Sequence, residues 1–216
     1  MDDRQRYLFD TRGVFTVPAA LSPAQLLELN AIFDRVEDDP SRETGGAGKV
    51  GGDALHWGQA YRELLDHPRI SPVLEELVGN HRGHEGNRVE AAAAKVQMAS
   101  IPTFRIDHIN VHNRCKANAG FMGHNLHGGG QGASGNHGGG GSQFFHYQDG
   151  HFFNGLTVVA YELRDTHSNG GGFCCVPGSH QGHIRIPEEM GDMSLTENNT
   201  ADWLQRFPAY AGDAIM

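Results

Sequence analysis

No apolar run in the sequence approaches the roughly 20 residues that a membrane-crossing helix needs, so the expectation is a soluble chain. Basic residues are the scarcer charge. Seventeen Lys and Arg stand against 26 Asp and Glu, a net charge of −9 with no basic cluster. That balance argues against nucleic acid and against an anionic membrane surface as partners. Cysteine is sparse too: three residues, two of them adjacent at Cys174 and Cys175, form no disulfide framework and point to a reducing, cytoplasmic setting. No charged-then-apolar leader precedes Arg12, so secretion is not indicated. The last absence is chemical. None of the 14 histidines has Asp or Glu two residues later, so no histidine has a carboxylate on its own strand face next to it.

What the sequence has in excess is glycine, 30 residues, and histidine. Residues 7 to 18 read as an edge strand entering a turn. Ser22 N-caps a helix with Pro23 at its first position, and Leu26, Leu29, Phe33 and Val36 recur at three-and-four spacing, which gives the helix one apolar face. Glu37-Asp38-Asp39-Pro40 ends it. A second helical stretch runs from about Trp57 to Leu65, and Ser71-Pro72 repeats the capping signature ahead of a helix that Gly79 stops. Phe104 to His112 reads as a strand. Residues 80–103 and 113–142 read as inserts or linkers: Glu90-Ala-Ala-Ala-Ala-Lys95 and Gly138-Gly-Gly-Gly-Gly-Ser142 resemble engineered spacers. The long glycine-rich loop over 113–142 is of the kind that in a compact domain is a lid, a site loop or disorder.

The stretch from Asn154 to His183 organises the rest. Leu156 to Leu163 has the length and β-branched, aromatic content of a strand buried on both faces. An Asp-containing turn, Gly171-Gly172-Phe173, a short run Phe173 to Val176 and Pro177-Gly178-Ser179-His180 follow, predicting an antiparallel hairpin with a histidine at its tight end. Leu163-Arg164-Asp165, Gly171-Gly172-Phe173 and Pro177-Gly178-Ser179-His180, with Gly13 to Pro18, Leu21-Ser-Pro23 and Ala211-Gly212-Asp213-Ala214 outside them, resemble the phytanoyl-CoA dioxygenase family of Fe(II)/2-oxoglutarate oxygenases. The resemblance implies one domain over residues 1–216. Its N-terminal strand and helices over 1–79 would pack on one sheet of a double-stranded β-helix, a jelly-roll, cupin-like core over 104–216, in an α+β to mainly-β fold.

The same resemblance implies iron(II) as cofactor, 2-oxoglutarate as co-substrate, O2 as oxidant and a small organic substrate. Such iron is held by two histidines and one carboxylate, leaving open positions. His127, in Leu126-His127-Gly128-Gly129, matches the first ligand. For the carboxylate three explanations stand: Gly129 vacates its position, as in related halogenases; Asp149 or Asp107 serves from elsewhere; or the site is incomplete. Asn154 and His180 are expected to line the cofactor pocket. The family's second histidine and its 2-oxoglutarate-gripping arginine follow the Gly212-Asp213 strand, and no residue here matches either, so the expectation is a chain that stops short of them. His108 and His112 share a strand face but lie about 13 Å apart, too far to share an ion. Asp165 is expected to bond its own backbone in a turn. A non-catalytic β-helix binding module and a general histidine-rich metal binder are the alternatives from other classes.

Overall fold

The computed structural model describes residues 1–38, 49–50, 53–79, 104–113, 126, 144–166, 172–182, 184, 186–193 and 200–216. Helix α1 (Asp3–Arg12) opens the chain because Asp2 and Gln5 close a capping box. The Asp2 carboxylate accepts the Gln5 N–H at 2.7 Å, and the Gln5 side chain accepts the Asp2 N–H at 3.0 Å. Gly13, left-handed at φ 71, stops it. The edge strand expected over residues 7 to 18 therefore shrinks to β1 (Thr16–Val17). Helix α2 (Pro23–Glu37) begins as its sequence predicts, with the Ser22 hydroxyl accepting the Gln25 N–H and Pro23 in the first turn.

Strand β2 (Lys49–Val50) precedes α3 (Gln59–Glu63), which single 3-10 turns flank on both sides. Helix α4 (Ser71–Val78) ends at Gly79, but Ile70 rather than Ser71 occupies its cap position. The Ser71 hydroxyl donates instead to the Asp66 carboxylate at 3.0 Å. Of the strand expected over residues 104 to 112, only β3 (Val111–His112) is laddered, antiparallel to β2. Strands β4 (Phe145–Gln148) and β5 (His151–Asn154) form a hairpin about Asp149-Gly150. These two residues have φ of 53 and 83, the left-handed pair that a two-residue type I′ turn requires.

Strand β6 (Ala160–Tyr161), β7 (Phe173–Cys175), α5 (Glu188–Gly191), β8 (Gln205–Phe207) and β9 (Ala214–Ile215) complete the order. Here the structure corrects the expected hairpin. Strand β6 does not pair with β7: β6 and β1 flank β9 in a three-stranded antiparallel sheet, while β7 pairs with β8. An apolar run carries no information about which distant strand supplies the ladder. The long strand expected from Leu156 to Leu163 is laddered only at Ala160–Tyr161, and it is not buried on both faces, since Leu156 and Val158 are exposed.

The fold is thus a mixture of helix and antiparallel sheet with its N-terminal helices laid over strand faces. Phe9 of α1 and Val73 and Leu77 of α4 share one core with Phe15, Val17, Phe152 of β5 and Ala214 of β9. A second core joins Leu29 and Ile32 of α2 to Tyr61 of α3. Among the described residues no helix is long and apolar enough to cross a membrane.

Candidate functional site

The corner Pro177 to Gly182 is built to receive the end of α1. Gly178, at φ 82, turns the chain into a 3-10 turn over Ser179–Gln181. Its N–H donates to the Arg12 carbonyl at 3.0 Å. The His180 ring bonds the Asp10 carbonyl through Nε2 at 3.1 Å, and the Gln181 amide donates to the same oxygen. Carbonyls at a helix C-terminus have no partner within the helix, and this corner supplies theirs. With Nε2 donating, Nδ1 of His180 is the unprotonated nitrogen, and it has no partner among the described residues.

His180 and Asn154, both expected in the pocket, meet around one ring. The His180 imidazole lies edge-on to Phe145 with centroids 4.4 Å apart, and Phe145 is the cross-strand partner of Asn154. By the two-residue period of β5, Asn154 shares the face of Phe152, which packs on Phe9 of α1 with centroids 5.6 Å apart. Asn154 is 4% exposed, yet neither its amide nitrogen nor its oxygen has a partner among the described residues. Burying an amide without hydrogen bonds costs roughly 1–3 kcal/mol, so a donor and an acceptor stand ready in the helix-covered layer.

The other expected residues lie elsewhere. Asp149 is at the exposed tip of the β4–β5 turn, and Asp107 is exposed and bonded to its neighbour His108 at 2.8 Å. His127 and Gly129 lie outside the described residues, as do the spacer-like stretches. Among the described residues no three His, Cys, Asp or Glu groups stand close enough together to hold a metal ion. The side chain of Asp165 bonds not its own backbone but the Ala211 N–H, at 2.7 Å. Asp213 accepts the N–H groups of Ala19 and Tyr210 at 2.8 and 2.9 Å, so two carboxylates fix the turn that leads into β9. Burial, and then the nearby Asp213 charge, pushes the Glu162 carboxyl up. Burial also pushes the Cys175 thiol up to about 11 and raises Cys174, which disfavours the thiolate form of both.

One polar surface escaped the sequence reading. On the opposite face of the β4–β5 hairpin stand His146, Gln148, His151 and Phe153. The Asp149-Gly150 dipeptide, a strong signal for a two-residue hairpin, would have placed them there.

Burial lowers the pKa of both His180 and His67, the latter helped by the Arg69 charge, so the folded state favours both rings neutral. The unfolded chain then binds more protons, and stability is full above the ordinary histidine pKa of about 6.5 and declines as pH falls through it. Thermal midpoints should drop between about pH 7.5 and pH 5.5, and His180→Gln should flatten part of that slope. A midpoint that rises on acidification over this range contradicts the assignment.

No family model matches the chain, and no curated protein matches it. Solved structures do. The fold is similar over 100% of this chain to HygX from Streptomyces hygroscopicus with nickel and 2-oxoglutarate bound, at a TM-score of 0.69 and 18% identity, covering 76% of that chain. With iron bound, HygX matches over the same shares at 0.66 and 17%. With nickel, 2-oxoglutarate and hygromycin B bound it matches at 0.62 and 18%, again over 100% and 76%. At this identity the likeness establishes a shared fold of mixed helix and sheet.

Proposed function

We propose that the chain is an iron(II)- and 2-oxoglutarate-dependent oxygenase acting on a small organic substrate, of the phytanoyl-CoA dioxygenase type with a double-stranded β-helix core. The observation that carries this reading is the likeness to HygX across the whole chain, since HygX holds nickel with 2-oxoglutarate in one structure and iron in another. The described residues do not complete a metal ligand set by themselves. The reading assigns His127 as a ligand, with Asp149 or Asp107 as the carboxylate. When bound, iron with 2-oxoglutarate supplies the oxidising power drawn from O2.

The chain's own contribution in this reading is a buried amide and a neutral imidazole. Asn154 offers a donor and an acceptor without partners, suited to a carboxylate or carbonyl oxygen of the co-substrate. His180 would line the same site with its neutral ring, its unprotonated Nδ1 turned toward Gly13. Their surroundings of Phe9, Phe145 and Phe152 exclude water, which strengthens each such hydrogen bond.

Anaerobic titration with Fe(II), with and without 2-oxoglutarate, tests the reading. A metal-to-ketoacid charge-transfer band that saturates at one equivalent and disappears in His127→Ala is expected; no band overturns it. Asn154→Leu should weaken 2-oxoglutarate binding about tenfold while leaving the thermal midpoint unchanged or higher, because an unsatisfied amide is replaced by an apolar group of similar volume. A second reading, a β-helix module that binds a small molecule without oxidising it, draws on the absence of a three-ligand cluster among the described residues. It predicts small-molecule binding that metal does not change.

A further inference from the structure

The β4–β5 hairpin sorts its side chains by the two-residue period of its strands. Phe145, Tyr147, Phe152 and Asn154 share one face, and Phe145 and Phe152 of that face meet Phe9 of α1. His146, Gln148, His151 and Phe153 therefore point away from the helices. In the register, His146 lies opposite Phe153 and Gln148 opposite His151, so the two histidines occupy diagonal positions across the hairpin. Diagonal neighbours on one face have Cα atoms about 7–8 Å apart with Cβ atoms closer, within reach of long side chains. This is the spacing that His108 and His112, four residues apart along one strand, cannot provide.

We propose that His146 and His151 form a two-imidazole site for a borderline divalent ion of the zinc, nickel or copper(II) kind on the hairpin face turned away from the helices. Imidazole suits these ions. Each ring needs one nitrogen for the metal, and its other nitrogen keeps a hydrogen-bond partner that fixes the ring. For His146 that partner is on the page: its Nε2 lies 3.1 Å from the Gln148 side-chain oxygen, on the same strand face, which leaves Nδ1 for the ion. The Phe153 ring, 6.1 Å from the His146 ring between centroids, limits the rotamers available to that histidine. The type I′ turn at Asp149-Gly150 locks the register that sets the two histidines at diagonal positions on one face. Water fills the remaining coordination positions, because no third protein group stands with the pair among the described residues. The site is independent of His127 and needs no 2-oxoglutarate.

The test uses the metal-free full chain, titrated with Ni(II) alone by calorimetry and with Cu(II) alone by electron paramagnetic resonance. One Ni(II) equivalent is expected to weaken about tenfold or more in His146→Gln and equally in His151→Gln. It should be unchanged in His56→Gln, an exposed histidine elsewhere, so a loss confined to the two hairpin variants assigns the ion to this site. Copper bound to the wild-type chain should show two equatorial nitrogens, falling to one in His146→Gln, a surface substitution that leaves the core intact. Nickel affinities unchanged in both hairpin variants, sensitivity to only one of the two histidines, or a single copper nitrogen in the wild type overturns the proposal.

Discussion

Asp213→Ala should cost the fold about 3–4 kcal/mol and lower the thermal midpoint by about 10 °C. The carboxylate is 7% exposed and accepts two backbone N–H groups, Ala19 at 2.8 Å and Tyr210 at 2.9 Å. Each such bond to a charged acceptor contributes roughly 1.5–3 kcal/mol, and truncation leaves both donors without it in a setting that water reaches poorly. The consequence extends beyond the turn. Ala19 follows β1 and Asp213 precedes β9, so the side chain ties the entry of one strand to the end of its neighbour. The Glu162 N–H donates to the Asp213 carbonyl, and its carbonyl accepts the Gly212 N–H, so β6 is held at the same point.

Asp213→Asn separates geometry from charge. It keeps one acceptor oxygen and removes the like charge that, after burial, holds the Glu162 carboxyl up. The Asn variant should lose less stability than the Ala variant, and the Glu162 titration should move down without reaching the ordinary carboxylate range, because burial is the larger cause. Chemical denaturation and a carboxyl-resolved NMR titration read the two effects. An Ala variant within about 1 kcal/mol of the wild type would sink the account of the turn.

How much of this was legible in the sequence depends on how local each determinant is. Helix α2 was, because Ser22, Pro23 and the spacing of Leu29 and Phe33 all act within a few residues of one another. The Gly212-Asp213 stretch was placed correctly as the approach to a strand. Helix α1 was not, since a capping box formed by Asp2 and Gln5 precedes a stretch with little apolar periodicity, and the β-branched residues after Gly13 carry the stronger local signal. The pairings of β6 with β9 and of β7 with β8 were beyond reach, because a ladder between distant strands leaves no mark in either segment. Asp165 shows the same limit at one residue: its composition and turn context predict a local bond, and its actual partner is Ala211. In the candidate site, Asn154 and His180 followed from the resemblance, but the ring of Phe145 that brings them together belongs to a hairpin that Asp149-Gly150 announces and of which only Asp149 stood out, as a candidate carboxylate.

Gly13→Ala is the second large effect, and it tests whether the Pro177 to Gly182 corner and α1 form one unit. Gly13 has φ 71, a conformation that costs an L-residue roughly 1–2 kcal/mol. A Cβ there would lie 2.5 Å from Nδ1 and 2.6 Å from Cγ of His180, closer than van der Waals contact allows. The ring cannot yield freely, because its Nε2 is bonded to Asp10 and its edge is set against Phe145. The single variant should therefore lose about 3 kcal/mol, backbone strain and displaced ring together. His180→Ala removes the obstructing ring, at the cost of its bond to Asp10 and its packing. On that background the added methyl should cost only the backbone part, about 1–2 kcal/mol, leaving a coupling of similar size between the two positions. Urea denaturation of the four chains closes the cycle. Strictly additive losses would mean that the ring is not what the methyl meets, and the corner would then be a neighbour of α1 rather than its cap.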